Sequence, residues 1–220
     1  MTRTEAIQAL SPIAAEQGGL ISTAQVRLAG VDRHLVAELT ATRYVQHLRR
    51  GVYAFGAGHA PDRFEDIASA WLAVDGRRLP WERRDAPEAV VSHASAAQLH
   101  AIGTIIPTLP ELTEQRQRTR RSDIIVHAAG FTTEDWQWRR LDSGMRLPVT
   151  TPARTIVDLL LAEEEVDYLQ RAVRDAFPDP EVARPTLAAA LDRRRKPNAK
   201  QRRWAEQTIV QLTEPRNAAR

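Results

Sequence analysis

The 220-residue chain contains no cysteine, which excludes disulfides, thiol nucleophiles and thiolate zinc sites and suits a reducing cytoplasm. It also lacks any apolar run near the roughly 20 residues that a membrane-spanning helix needs. The richest stretch, Thr155 to Ala162, is interrupted by Asp158. Met1 is followed by Thr2, Arg3, Thr4 and Glu5, not by the apolar core and small-residue cleavage site of a secretion signal. A cytoplasmic protein without a membrane partner is expected. Phosphate-loop, dinucleotide-binding, H-E-x-x-H and G-x-S-x-G motifs are all missing, so no catalytic residue, cofactor or metal is assigned and no enzyme class follows.

What charge there is lies unevenly. The formal net charge of +3 comprises +2 over residues 1–60, −1 over 61–147, −5 over 148–192 and +7 over 193–220. The basic surplus sits at the two ends, so contact with nucleic acid is expected from the N-terminal segment, the tail, or both. The length allows one large domain or two small ones.

Ala6, Ile7, Leu10, Ile13 and Ala14 form the stripe of a first helix, which Gly18 and Gly19 stop. Ser22 opens S-T-A-Q, a capping box in which the hydroxyl accepts an orphan backbone N–H while Gln25 reaches back. The second helix ends at Gly30, and Asp32 caps a third from Arg33 to about Ala41, with Leu35, Val36 and Leu39 inward. Arg43 to Leu48 alternates as a strand, Arg49 and Arg50 occupy a turn, and Gly51 supplies the positive φ before the strand returns through Phe55.

Capped helices followed by a basic hairpin outline a winged helix-turn-helix over residues 1–58. Such a module lays its recognition helix in the major groove while the hairpin reaches phosphates. Arg33 and His34 are the expected base-reading residues, with Thr40 on the same outward side. Arg43, Arg49 and Arg50 are the expected phosphate or minor-groove contacts, and His47 is a further expected DNA-binding residue. Taken singly, Arg33 or His34 is as readily a solvated surface residue, and the Arg49-Arg50 pair more readily so; the capped helix-turn-helix beside them favours the DNA-binding account.

Residues 59–192 are expected to form a mixed α+β domain with a helical C-terminal part, making the whole chain α+β. Asp62 caps a helix to Val74, and Ser92 caps another through Ala101. His93 and His100 are seven apart, whereas a helical metal pair favours i, i+4 with further ligands, so both read as packed or capping histidines. Strands at Glu111–Thr113 and Ile124–Ala128 flank Arg116, Arg118, Arg120 and Arg121. That run reads either as a solvated loop or as a contact for DNA or a nucleic-acid-handling toxin. Trp136 and Trp138 share a strand face, and Met145 to Thr150 returns as its partner. Thr151-Pro152 starts a helix in which Arg154 and Asp158 read as an i, i+4 surface pair worth ~0.5 kcal/mol. Helices over 163–177 and 180–191 follow. The tail, 193–220, carries Arg193, Arg194, Arg195, Lys196, Lys200, Arg202 and Arg203 before a short helix at 204–212. Contact with phosphate or an acidic partner and plain solvation are equally open for it.

These motifs resemble a known family, the AbiEi-type antitoxins of AbiE-like type IV toxin–antitoxin systems. The resemblance rests on Q-G-G-L-I-S-T-A-Q at 17–25, A-G-V-D-R-H-L at 29–35 and L-R-R-G-V-Y-A-F at 48–55, and continues at 90–103 and 147–160. It implies a bacterial antitoxin whose winged helix represses its own promoter, on inverted repeats, and whose C-terminal domain counteracts a nucleotidyltransferase-like toxin. Two other functions stay open. One is a winged-helix regulator with a ligand-sensing or dimerising C-terminal domain. The other is the remnant of a fusion to a Vsr-like nuclease, whose Mg²⁺-binding acids the C-terminal residues do not supply.

Overall fold

The computed structural model describes residues 1–56, 59–82, 87–116, 120–194 and 197–214. The chain is α+β and divides into two compact units, Met1–Ala89 with Trp138–Leu147, and Val90–Gln137 with Pro148–Arg220. No helix among the described residues is long and apolar enough to cross a membrane.

The first unit begins with α1 (Arg3–Ala15), β1 (Leu20–Ser22), α2 (Thr23–Leu28) and α3 (Arg33–Ala41). Local chemistry sets these boundaries. Thr2 with Glu5, and Ser22 with Gln25, close reciprocal capping boxes, and the Asp32 carboxylate accepts from the His34 N–H at 2.7 Å. β2 (Val45–Arg49) and β3 (Val52–Phe55) then complete a three-stranded sheet in the order β1-β3-β2. Leu10, Ile13, Ile21, Val26, Leu39 and Phe55 are buried together between the helices and this sheet. Each such side chain contributes about 1.5–3 kcal/mol on leaving water.

This unit runs past residue 58, because α4 (Glu65–Asp75) packs on β1, β2 and β3. Its Trp71 is 1% exposed and donates its indole N–H to the Ala89 carbonyl. The helix starts at Glu65 and has no side-chain cap. Asp62, expected to cap it, instead accepts from the Phe64 and Ser143 backbone N–H groups, both at 2.8 Å. A short 3-10 turn follows at Pro80–Glu82.

The later elements are β4 (Ala89–Val91), α5 (His93–His100), β5 (Glu111–Glu114), β6 (Ile125–Ala128), β7 (Trp136–Arg140) and β8 (Arg146–Thr150). Their sheet order is β6-β5-β4-β8-β7. β5 and β6 are parallel, with Glu111 opposite Ile125 and Thr113 opposite His127. The C-terminal half is helical: α6 (Pro152–Leu161), α7 (Val166–Ala176), α8 (Pro180–Arg193) and α9 (Ala199–Leu212). Every residue of α6 from Ala153 to Leu160 is buried, the mark of a central helix. It packs against α5, α7, α8 and α9.

Within the described residues the tail holds a longer helix than its composition suggested. α9 starts at Ala199, not Trp204, because Asn198 and Gln201 form a third capping box. Ala205, Thr208, Ile209 and Leu212 are buried, all but Thr208 in the apolar core of the second unit.

Candidate functional site

A dense hydrogen-bond network fixes the base of the helix-turn-helix. Gln17 and Gln25 pair side chain to side chain at 2.9 and 3.0 Å, Gln25 also donates to the Arg78 carbonyl, and Ser22 donates to the Gly76 carbonyl. Above this base the first turn of α3 is solvent-exposed at Arg33 and His34. Thr40 is exposed too, but its hydroxyl donates to the Val36 carbonyl within the helix. Arg43, exposed with φ 57°, stands between α3 and β2. His47, exposed on β2, stacks edge-on with Tyr53 at 5.5 Å. Arg50 is exposed beside Gly51, whose φ of 86° makes the tight turn.

Arg49 does not project from that turn, contrary to expectation. The β2–β3 register passes from His47 opposite Tyr53 to Arg49 opposite Val52, so Leu48 is an extra, bulged residue. The bulge swings Arg49 to the face of Ala54 and Val52, against α4. There its Nε donates to Ser69 Oγ at 2.8 Å, and its Nη2 to the Asp66 carbonyl at 3.1 Å and to the Asp66 carboxylate. Arg49 is 9% exposed, a residue of the core and not of the rim.

The remaining cations are dispersed. Arg116 and Arg120 are exposed, while Arg121 makes a two-pronged contact with Asp123 at 2.9 and 3.0 Å. Arg118, Arg195 and Lys196 lie outside the described residues. Lys200 and Arg203 are exposed on α9. Arg202 pairs with Asp192 and Glu206; hydrogen bonding to Asp192, then Glu206, raises its pKa. Arg193 reaches Asp135 at 3.0 Å and Glu134 at 3.5 Å. Arg194 Nε lies 2.9 Å from Asp158 Oδ1, and burial lowers its pKa while Asp158 opposes that shift. The tail arginines nearest α8 therefore neutralise acids of their own unit.

Those acids belong to a buried ionic centre. Arg154, Asp158 and Asp135 are all 0% exposed. Arg154 donates through Nε to Asp158 at 2.9 Å and through Nη1 to the Gly130 carbonyl at 3.2 Å, with Asp135 at 3.3 Å. Among the described residues Arg154 Nη2 and Asp158 Oδ2 have no hydrogen-bond partner. The pair taken from its spacing as a surface contact is thus the interior anchor of a five-residue network. Its spacing was legible; the approach of Asp135, Arg193 and Arg194 was not.

A second cluster went unseen in the sequence. His93 opens α5 with φ 50°, a left-handed backbone that costs a non-glycine residue about 1–3 kcal/mol. Its ring stacks on His127 with centroids 3.6 Å apart and planes 15° apart. His127 Nε2 lies 2.8 Å from Glu111 Oε2. Ser92, expected to cap α5, makes no capping bond; it lies 2.9 Å from His93 Nδ1 and accepts from Thr113 Oγ1 at 2.7 Å. Burial holds the His93 pKa down at about 4, with nearby Asp158 opposing that shift, so the imidazole is neutral at pH 7. Glu164 has its pKa raised by burial and by the Glu111 and Glu165 charges. One sequence signal bears on this cluster: Glu111 and Thr113 alternate on one face of β5, and a parallel neighbour in register adds His127 to that face.

The first unit also holds a cleft of about 610 Å³ lined by Trp71, Trp81, Trp138, Arg140 and Arg146. The Arg146 guanidinium sits 5.3 Å from the Trp138 ring centre. No family model matches the chain, and no curated protein was found to match it.

Proposed function

We propose that the first unit acts as a winged helix-turn-helix on promoter DNA, and that the chain is an autorepressing antitoxin opposing a nucleotidyltransferase-like toxin. The observation that carries the DNA-binding part is the exposed first turn of α3. Asp32 caps it, Arg33 and His34 stand on it, and the hairpin with Arg50 follows in the same unit. Among the described residues the side chains of Arg33, His34 and Arg43 have no hydrogen bond or ion pair, which leaves them available for bases and phosphates. The positive end of the α3 dipole adds attraction for phosphate. Antitoxin activity rests on the resemblance of the 17–25, 29–35 and 48–55 motifs.

A gel-shift titration on the chain's own upstream DNA against scrambled DNA tests the first part. The wild type binds the upstream DNA selectively. Arg50→Ala and Arg43→Ala weaken all DNA binding, whereas Arg33→Ala also narrows the gap between specific and scrambled DNA. If two copies on an inverted repeat neutralise six or more phosphates, affinity falls by about 10³ between 50 and 200 mM salt. A complex indifferent to salt rejects the proposal. Antitoxin activity is tested by growth of cells expressing a neighbouring nucleotidyltransferase, with and without the chain. A second reading, an effector-responsive regulator, is favoured by the tryptophan-lined cleft; release of DNA by a small aromatic or anionic ligand, blocked by Trp81→Ala, distinguishes it.

A further inference from the structure

We propose that His93, Glu111 and His127 form a site for one divalent transition-metal ion of the zinc class. One ligand atom from each residue falls within a cluster no more than 4.8 Å across. A tetrahedral ion with bonds of 2.0–2.1 Å separates its ligand atoms by about 3.3 Å. The spacing is therefore that of a one-ion site, and binding requires the stacked His93 and His127 rings to turn out of their near-parallel planes so that both nitrogen lone pairs meet at the ion. His127 Nε2 and Glu111 Oε2, at 2.8 Å, are already closer than that, and the ion replaces the contact between them, the ring N–H of a neutral His127 then residing on Nδ1. Because His93 Nδ1 is engaged by Ser92 Oγ, Nε2 is the nitrogen left for a ligand.

The surroundings suit a metal ligand set. A ligating histidine commonly gives its second ring N–H to an oxygen acceptor, which fixes the tautomer. Ser92 Oγ occupies that position for His93 and is itself held by Thr113. The three ligands come from separate elements, the start of α5, β5 and β6, so no single helix or loop has to fold around the ion. Glu111 supplies negative charge with Glu164 nearby, while the Asp158 charge near His93 is offset by Arg194. Two imidazoles and one carboxylate select a borderline ion such as Zn²⁺ over Mg²⁺ or Ca²⁺, which favour oxygen ligands. Three protein ligands leave one position of a tetrahedron open, the arrangement of a site that takes water or a substrate oxygen.

The test uses the full-length chain stripped with chelator, then titrated with Zn²⁺ by calorimetry and with Co²⁺ by visible absorption. One ion binds per chain, and Co²⁺ shows the intense bands of a tetrahedral site. Glu111→Gln, nearly isosteric, and His127→Ala each weaken binding tenfold or more, and Thr113→Val weakens it by about tenfold through Ser92. Excess Mg²⁺ does not compete. X-ray absorption on the Zn²⁺-loaded wild type, which needs no variant to fold, gives a shell containing two imidazoles. A folded wild type with no saturable Zn²⁺ binding up to millimolar concentration overturns the proposal. So does Zn²⁺ binding unchanged in both ligand variants, or a metal shell without imidazole.

Discussion

Adjacent arginines at the hairpin turn meet opposite fates. Arg50 is exposed, while the bulge at Leu48 turns Arg49 onto Ser69 and Asp66. Alternation along β2 cannot reveal this, because one inserted residue reverses the facing of everything beyond it. We expect Arg49→Ala to cost about 1–2 kcal/mol of stability through lost hydrogen bonds, since Asp66 remains largely solvated. Arg50→Ala, at an exposed side chain, should lower the melting temperature less than Arg49→Ala does and weaken DNA binding. Thermal melts beside gel shifts separate the two; a stable Arg49→Ala variant with selectively lost DNA binding returns Arg49 to the interface. Caps behave differently from register. Ser22, Asp32 and Asn198 hold partners two or three residues away, so short sequence windows contain the interactions that make them. Two of the three, Ser22 and Asp32, were legible as caps in advance.

At the scale of elements, α6 carries the sharpest correction. The i, i+4 spacing of Arg154 and Asp158 correctly joins the two residues but says nothing about burial. Their depth comes from α5, α7, α8 and α9 gathering round the helix. Neighbouring helices exclude water, and Asp135, Arg193 and Arg194 arrive to balance the charge. Removing one partner of a buried set leaves the others uncompensated, so Arg154→Met is expected to lose about 3–5 kcal/mol in urea denaturation. A loss near ~0.5 kcal/mol would match an exposed helical pair instead. The same network accounts for part of the basic tail. Arg193 and Arg194 face acids that lie far away in sequence, and only packing of the chain pairs them.

For the second unit as a whole, stability is tied to pH through His93. Its pKa is about 4 when folded and 6.5 in the unfolded chain. Above pH 6.5 the ring is neutral in both states and has no pH effect. As pH falls from 6.5 towards 4 the unfolded chain takes up a proton that the folded one refuses, so stability declines, by about 3 kcal/mol over that range. Below pH 4 both states are protonated and the decline stops. Urea denaturation with chelator present at pH 7.0 and 4.5, for wild type and His93→Asn, isolates this contribution. An equal decline in the variant would assign the pH effect to the carboxylates.

Sequence alone determined the α+β class, the helix starts at Thr23, Arg33 and Pro152, and the tight turn at Gly51. Hydrophobic periodicity, capping and glycine geometry are written in windows of a few residues, and the backbone follows them at Ser22, Asp32, Thr151 and Gly51, whereas Asp62 and Ser92 are drawn from their expected caps to partners elsewhere. Tertiary structure decided the fate of Arg49, the depth of Arg154 and Asp158, the docking of α9 and the meeting of His93 with Glu111 and His127. Each depends on strand register or on contacts between residues distant along the chain. Burial changes the chemistry of a charge or an imidazole only after those contacts have excluded water.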